Sequence, residues 1–329
     1  MRMLVLGGTS MVGRAVAAAG VAAGYEVVCG ARGESGAVPA GARLVPVDRD
    51  GADPYAPLAD ERFDAVFDMA TMSYPWVSDA LRALAGRAAH WTFVSSANVY
   101  ADTASKGQDT DAPLVEPRYD AGPAEPSADP AVYGAVKVAS ERAVLDAFGS
   151  RAFVVRPGLI VGPDDRSDRF GYWPARFERG GRALVPDVPE QPIQYVDVRD
   201  LADWLLLAAR ERIAGVYDAV GPARPLPELL REIAGVLNAQ VELVPRGPAE
   251  LFAAGINPWA GPRSLPMWLP DSHLGLAARA HDRAARAGLA HRPLADTVRA
   301  ALAREHELGG LVRSRIAGLT PEEETTALA

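Results

Sequence analysis

Uninterrupted apolar runs alternate with segments of helical periodicity through the first half of the chain. The apolar runs predict strands at residues 3–6, 26–29, 43–47, 65–69, 91–95 and 152–155. Apolar residues at helical spacing predict helices at residues 11–21, 75–89 and 130–148. Continuous apolar strands that alternate with helices are typical of a parallel sheet covered on both faces. The pattern therefore predicts an α/β fold built on a doubly wound parallel sheet.

The pattern is less regular after residue 165. Strands are predicted at residues 193–196, 216–220 and 241–244, and helices at residues 198–210, 226–237, 279–288 and 294–306. The Pro- and Trp-rich segment 249–270 permits no assignment. We therefore expect a sheet domain in residues 1–165, completed by part of 190–220. A smaller mixed α/β lobe is expected in residues 166–315, and the acidic residues 316–329 are expected to form a flexible tail.

Composition narrows the classes of partner. The 329 residues carry a formal net charge of −8, which argues against a nucleic-acid partner, because such a surface needs clustered Lys and Arg. The single cysteine, Cys29, lies in a predicted buried strand and fits a reducing compartment, so we expect a cytoplasmic protein. No apolar stretch reaches the roughly 18 residues of a membrane helix, and a small-molecule substrate is the expected partner.

A glycine turn joins the first predicted strand to the first predicted helix. It reads GGTSMVG over residues 7–13, with Ser10 where a middle glycine is often found. Gly7 permits an unusual backbone conformation, and Gly13 lets the helix lie close to the strand. The first amides of the helix point outward, so a pyrophosphate can bind there. Spacing alone leaves open whether the turn is a nucleotide site or a plain connection.

Hydroxyl, phenol and amine groups converge on one edge of the predicted sheet. Tyr133 and Lys137 lie four residues apart on a predicted helix and therefore share a face. Ser95 and Ser96 follow the carboxyl end of a strand, the edge at which doubly wound sheets bind ligands.

In combination these segments resemble the short-chain dehydrogenase/reductase superfamily, in particular its extended, epimerase-like branch within the NAD-dependent epimerase/dehydratase family. The resemblance rests on GGTSMVG at 7–13, VSSANVY at 94–100, YGAVK at 133–137, RPGLIVGP at 156–163 and YVDVRDLA at 195–202. It implies a Rossmann-type dinucleotide-binding domain followed by a substrate lobe. Pairing of two copies through the helices at 75–89 and 130–148 is implied by analogy.

The resemblance also implies a set of catalytic roles. Ser96 holds the substrate oxygen, with Ser95 second in line, and Tyr133 exchanges the proton. Lys137 binds the nicotinamide ribose and lowers the pKa of the phenol, because a nearby cation favours the phenolate. Cofactor contacts are implied for Gly7, Thr9, Ser10, Met11, Val12, Gly13, Arg32, Asp48, Met69, Ala70, Lys137 and Pro157.

The end of the second strand bears on the choice of cofactor. NAD enzymes usually place an acid there to bind the ribose 2′-hydroxyl. This chain reads Cys29-Gly30-Ala31-Arg32, with an arginine in that place. The sequence therefore favours NADP(H), with NAD(H) as the alternative.

The second lobe supplies the candidate substrate contacts. Tyr172 and Trp173 follow the loop after the sixth strand, and Arg169 in that loop could hold a substrate anion. Ala97 and Asn98 stand where family dehydratases carry an Asp-Glu pair, which argues against elimination of water.

Three functional hypotheses follow. The first is an NADP(H)-dependent oxidoreductase that interconverts a carbonyl and an alcohol on a small molecule. The second is an epimerase of a sugar or sugar-like substrate with a tightly bound cofactor. The third is a non-catalytic cofactor-sensing or RNA-binding protein, which the intact Tyr133 and Lys137 disfavour.

Overall fold

A parallel sheet forms the centre of the fold. The computed structural model describes residues 1–34, 36–122, 130–312 and 315–329. In chain order its strands are β1 (Arg2–Leu6), β2 (Glu26–Ala31), β3 (Arg43–Pro46), β4 (Phe63–Asp68), β5 (Ala88–Val94), β6 (Ala152–Pro157), β7 (Leu159–Val161), β8 (Gly181–Pro186), β9 (Pro192–Ile193), β10 (Tyr195–Asp197), β11 (Gly215–Ala219), β12 (Arg224–Pro225), β13 (Val241–Arg246), β14 (Asn257–Trp259), β15 (Gly261–Pro262), β16 (Ser264–Pro266) and β17 (Ala317–Gly318). Over the described residues the central sheet has seven strands, all parallel, in the order β11-β6-β5-β4-β1-β2-β3.

Helices cover this sheet and build the second lobe. They are α1 (Met11–Ala22), α2 (Tyr74–Leu84), α3 (Pro130–Phe148), α4 (Tyr172–Glu178), α5 (Val198–Glu211), α6 (Leu226–Val236), α7 (Pro248–Ala253), α8 (Asp282–Arg286), α9 (Leu294–Glu307) and α10 (Pro321–Leu328). None of the helices in this described part of the chain is long and apolar enough to cross a membrane.

Alternate residues of β1 enter different hydrophobic cores. Met3 and Val5 pack on the side of α1 and α5, whereas Leu4 and Leu6 pack on the side of α2 and α3. Both faces of the strand are therefore buried, which explains why its sequence is apolar without alternation. The predicted doubly wound parallel sheet is confirmed.

The second lobe has a hydrophobic core of its own. Strands β8 and β13 pair in parallel, and α4 packs against α6 and α9. Large apolar side chains fill the space between these elements, among them Phe170, Tyr172, Trp173, Phe177 and Trp268.

The chain end folds into a helix that contacts the second lobe, where the sequence had predicted a flexible tail. Thr320 caps α10, and the Glu323 side chain accepts a hydrogen bond from the Thr320 amide in return. Glu324 is buried and forms an ion pair with the buried Arg176, with 2.5 Å between Oε2 and Nε. The acidic composition suggested a solvated segment, but one of its carboxylates is the partner of an arginine in the core of the second lobe.

Candidate active site

The glycine turn is closed by contacts that only small residues allow. Gly7 has a φ of 89°, and a Cβ on Gly13 would lie 2.2 Å from the Gly7 carbonyl oxygen. The Ser10 hydroxyl donates to that same oxygen at 2.8 Å and accepts from the Gly13 amide at 3.2 Å. Ser10 thereby caps α1, so the serine holds the turn in place of a third glycine.

Ser96 and Tyr133 meet where β5 ends and α3 begins. The Ser96 hydroxyl accepts from the Asn98 amide at 3.2 Å and caps a short 3-10 helix over Ala97–Val99. Gly134 lets α3 come close, because a Cβ there would lie 2.2 Å from the Asn98 carbonyl oxygen. Burial raises the pKa of Tyr133, and the hydrogen bond between its phenol and Ser96 acts in the opposite direction. The phenol is therefore protonated at neutral pH.

Lys137 is buried beneath Tyr133. Its Nζ donates to the carbonyl oxygens of Ala70 at 2.5 Å and Val94 at 2.7 Å, and it lies 5.7 Å from the centroid of the Tyr133 ring. Burial lowers the pKa of Lys137 to about 7, although the charges of Asp68 and Glu141 act to raise it. The amine can thus be charged or neutral within the physiological range.

A cavity of about 1080 Å³ unites the turn, the predicted catalytic residues and the second lobe. The predicted site residues that line it are Ser10, Met11, Val12, Met69, Ser95, Ser96, Tyr133, Lys137, Pro157 and Arg169. The Ser95 hydroxyl is buried and has no hydrogen-bond partner among the described residues.

The remaining predicted cofactor residues lie off the cavity wall. Gly7, Thr9 and Gly13 belong to the glycine turn, and Ala70 is buried. Arg32 follows β2, is half-exposed and lies 3.2 Å from the Glu34 carboxylate. Asp48 follows β3 and is exposed, and its Oδ1 accepts from the Asp50 amide at 3.2 Å.

Tyr172 and Trp173 do not line the cavity, and the structure corrects the expectation that they contact substrate. Both are fully buried in the core of the second lobe, with ring centroids 5.1 Å apart. The Trp173 indole donates to the Pro266 carbonyl oxygen at 3.0 Å. These aromatic rings stabilise the lobe because α4 turns them inward.

Polar and aromatic residues beyond the predicted set also line the cavity wall, and sequence reasoning missed Asp165 among them. Asp165 and Trp259 line it, as does the exposed His273, whose Nδ1 lies 2.9 Å from the Ser272 hydroxyl. Trp259 belongs to the segment that the pattern left unassigned. Asp165 lies in an acidic loop, where a carboxylate ordinarily indicates only a solvated surface.

Comparison with known proteins gives related sequences. The profile of the NAD dependent epimerase/dehydratase family matches residues 3–219. The chain is 31% identical over 237 residues to 2'-dehydrokanamycin reductase of Streptomyces kanamyceticus, covering 69% of this chain and 63% of that protein, which is less than two thirds of its length. It is 30% identical over 264 residues to dTDP-6-deoxy-L-talose 4-dehydrogenase (NAD(P)(+)) of Kitasatospora kifunensis, covering 71% of this chain and 80% of that protein.

Solved structures share the fold at lower identity. The Bordetella bronchiseptica enzyme WbmH in complex with NAD+ is 18% identical with a TM-score of 0.63, over 94% of this chain and 99% of that one. RMD from Pseudomonas aeruginosa complexed with NADPH is 19% identical with a TM-score of 0.61, over 92% of this chain and 99% of that one. At these identities the likeness concerns the fold alone.

Proposed function

This chain belongs to the NAD-dependent epimerase/dehydratase family, and from that premise we propose that it is an NADP(H)-dependent oxidoreductase that interconverts a carbonyl and an alcohol on a small, sugar-like molecule. The resemblance predicted from the motifs is confirmed. Membership of the family and its named relatives indicate an NAD(P)-dependent enzyme of the oxidoreductase or epimerase type.

One observation carries the proposal. Ser96, Tyr133 and Lys137 face a single cavity that the residues of the glycine turn also line. A hydroxyl, a protonated phenol and an amine are the groups that proton transfer to a carbonyl oxygen requires.

The cavity fits a dinucleotide. Its volume of about 1080 Å³ is large for a small ligand alone. Ser10, Met11 and Val12 line it at the start of α1, where a pyrophosphate can accept hydrogen bonds from amides of the first helical turn. When bound, the nicotinamide cofactor supplies or accepts the hydride.

The residues of the chain provide the proton chemistry. In the reducing direction the Ser96 hydroxyl donates a hydrogen bond to the substrate carbonyl oxygen and orients it. Tyr133 then transfers its phenol proton to that oxygen as negative charge develops there. The raised pKa of Tyr133 favours this direction, because burial keeps the phenol protonated and ready to act as an acid. Lys137 Nζ lies 5.7 Å from the centroid of the phenol ring. When the amine is charged, it stabilises the phenolate that proton transfer leaves behind.

Removal of the phenol oxygen tests the mechanism. We expect Tyr133→Phe to reduce turnover of NADPH with a keto-sugar panel by about 100-fold or more, because general acid catalysis contributes on this order. Binding of NADPH, followed by quenching of tryptophan fluorescence, should be unchanged. Tyr119→Phe removes an exposed phenol away from the cavity and is the matched control. Full turnover by Tyr133→Phe would exclude the mechanism.

The preference for NADP(H) is supported by Arg32. Strand β2 ends at Ala31 without an acid, and the following guanidinium is half-exposed, so it is accessible to a 2′-phosphate. Arg32→Gln should weaken NADPH binding about tenfold and leave NADH binding unchanged, whereas Arg32→Lys should retain most of the preference. Equal effects on both cofactors would remove the argument.

An ion-pair clasp favours the epimerase as a second candidate. We define the clasp as Arg14, Asp164 and Arg304: Arg14 Nε lies 3.6 Å from Asp164 Oδ2, and Arg304 Nη2 lies 3.7 Å from Asp164 Oδ1. It joins the first turn of α1 to the loop after β7 and to α9, beside the proposed cofactor site. An epimerase needs a retained cofactor, since it oxidises and reduces the same carbon. Nucleotide that co-purifies with the protein, without net NADPH turnover, would favour this candidate.

A further inference from the structure

A carboxylate, a guanidinium and an indole lie together on the second-lobe wall of the cavity. Asp165, Arg169 and Trp259 all line it, and the guanidinium carbon of Arg169 lies 4.7 Å from the centroid of the Trp259 ring. Asp165 Oδ1 accepts from the Ser167 amide at 2.8 Å. Asp165 Oδ2 and Arg169 Nε are buried and have no hydrogen-bond partner among the described residues.

Unpaired buried polar atoms of this kind require a partner, because each costs free energy when it is left without one. Both belong to side chains of the cavity wall, and a small shift of either side chain toward a molecule in the cavity would give its atom a partner. Burial raises the pKa of Asp165, against the hydrogen bonds from Ser167 and the charge of Arg169, and burial lowers the pKa of Arg169, against the charge of Asp165.

The backbone at Trp259 is also unusual. Its φ of 69° lies in the left-handed region, which a bulky residue rarely adopts. Such a conformation persists only where the surrounding structure requires it, and it is concentrated at functional sites. Here it presents the indole to the cavity.

The charges on the wall decide which class of molecule fits. Among the described residues that line the cavity, the side chains with a formal charge are Lys137, Asp165 and Arg169. Lys137 is buried beneath Tyr133 and donates to main-chain carbonyls. Asp165 offsets the charge of Arg169, so the second-lobe wall carries no net charge. A nucleoside diphosphate substrate would bring at least two more negative charges, while the cofactor pyrophosphate already uses the amides at the start of α1 and the described second-lobe wall offers no cation that is not already offset.

We propose that Asp165, Arg169 and Trp259 form a subsite for an uncharged, polyhydroxylated ring, and that the substrate is a sugar or cyclitol without a nucleotide group. The carboxylate accepts hydrogen bonds from ring hydroxyls, and the guanidinium donates to them. The indole packs against the C–H face of the ring, whose partial positive charge suits the aromatic face. That the bound ring is the substrate rests on the proposed function. In this proposal Arg169 binds ring hydroxyls, which replaces the expectation that it holds an anion.

Two substitutions distinguish the ligand classes, because the affinity of each class should change in a different combination of directions. Asp165→Asn and Arg169→Gln each remove one charge and keep a side chain that can form hydrogen bonds. An uncharged ring should bind more weakly to both variants. An anion should bind more tightly to Asp165→Asn and more weakly to Arg169→Gln, and a cation should do the reverse. Arg166→Gln in the same loop is the control, since Arg166 is exposed and lies off the cavity wall.

The test measures binding of three probe classes to the full chain with NADP+ by saturation-transfer NMR. The probes are a panel of phenyl glycosides of neutral hexoses, dTDP-glucose and kanamycin A. We expect a neutral glycoside to bind the wild type and Arg166→Gln alike, and to bind each of the paired variants about tenfold more weakly.

Several results would overturn the proposal. The first is binding of dTDP-glucose that is tighter to Asp165→Asn and weaker to Arg169→Gln, or binding of kanamycin A with the reverse pattern. The second is a neutral glycoside whose affinity neither variant changes. The third is the absence of binding by every neutral glycoside. The binding readout is independent of turnover. Failure of the proposed function, seen as loss of NADP+ binding or as full activity of Tyr133→Phe, is therefore distinguishable from failure of the subsite.

Discussion

Replacement of Lys137 by methionine should change how the stability of the fold depends on pH. Lys137 is buried, and its amine is surrounded by the Phe93 ring at 4.8 Å and by two main-chain carbonyls. A charged amine in this place loses its hydration, so burial lowers its pKa from 10.5 to about 7. The unfolded chain keeps the ordinary value, and folding in neutral solution therefore releases a proton.

The magnitude follows from this difference in pKa. Below pH 7 both states hold the proton, and the buried charge costs on the order of 5 kcal/mol of stability. Between pH 7 and pH 10.5 the unfolded state binds more protons than the folded state, so stability rises by about 1.4 kcal/mol per pH unit. Methionine has no proton to lose, so the variant lacks this contribution. The hydrogen bonds that the variant also loses do not depend on pH and shift its curve by a constant.

Urea unfolding of both proteins at a series of pH values measures the effect. We expect the stability of the wild type relative to Lys137→Met to increase by about 3 kcal/mol from pH 7 to pH 9.5, somewhat less than the full slope gives, because the folded-state amine is half protonated at pH 7. All other titrating groups are shared and cancel in the difference. A difference that stays flat over this range would show that the amine keeps its proton in the folded state, and it would refute the reasoning. The variant should also lose turnover, because no cation then stabilises the Tyr133 phenolate.

Further substitutions test the turn, the chain end and the clasp. Gly13→Ala should reduce NADPH affinity at least tenfold in a fluorescence titration, since the Cβ would lie 2.2 Å from the Gly7 oxygen; unchanged affinity would contradict the role of the turn. Glu324→Gln should lower the free energy of unfolding by about 3 kcal/mol or more, because it leaves the Arg176 charge buried without its partner; a loss below about 1 kcal/mol in urea would count against this. Asp164→Asn should speed NADP+ release about two- to threefold in stopped-flow, because the partly exposed ion pairs of the clasp each add modestly to cofactor retention; an unchanged release rate would remove the support that the clasp gives to the epimerase.

The sequence pattern predicted the sheet domain well, because the signals that mark each strand and helix lie within that element or next to it. Helix α3 begins and ends at the residues that its sequence pattern gave, Pro130–Phe148, and β6 begins at the predicted Ala152. Strands buried on both faces are apolar throughout, and a proline or a glycine turn marks where each helix can begin. The order of the motifs along the chain was sufficient to identify the family, and the pairing of two copies stays a prediction.

The second lobe was harder because its contacts are distant in sequence. The Glu324 carboxylate pairs with Arg176 across 148 positions, and no composition of the chain end could indicate that partner. Strand β14 pairs with β16 through a short Pro-rich connection, which carries none of the signals of a strand. Trp259 reaches the cavity from the end of β14. A search for aromatic residues alone could not separate it from Trp173, which faces the core.

The charge state of the site depends on pairs that the motifs do not include. Asp68 and Glu141 both act to raise the pKa of Lys137, yet each is already bound to an arginine. Arg49 Nη2 lies 2.6 Å from Asp68, and Arg156 Nη2 lies 2.7 Å from Glu141. Arg49 acts to lower the pKa of Lys137 and therefore opposes Asp68, and the cost of burial outweighs the charges of both carboxylates. The same tyrosine and lysine motif beside an Asp68 without its arginine should have a lysine of higher pKa. Arg49 thus contributes to how readily Lys137 loses its proton.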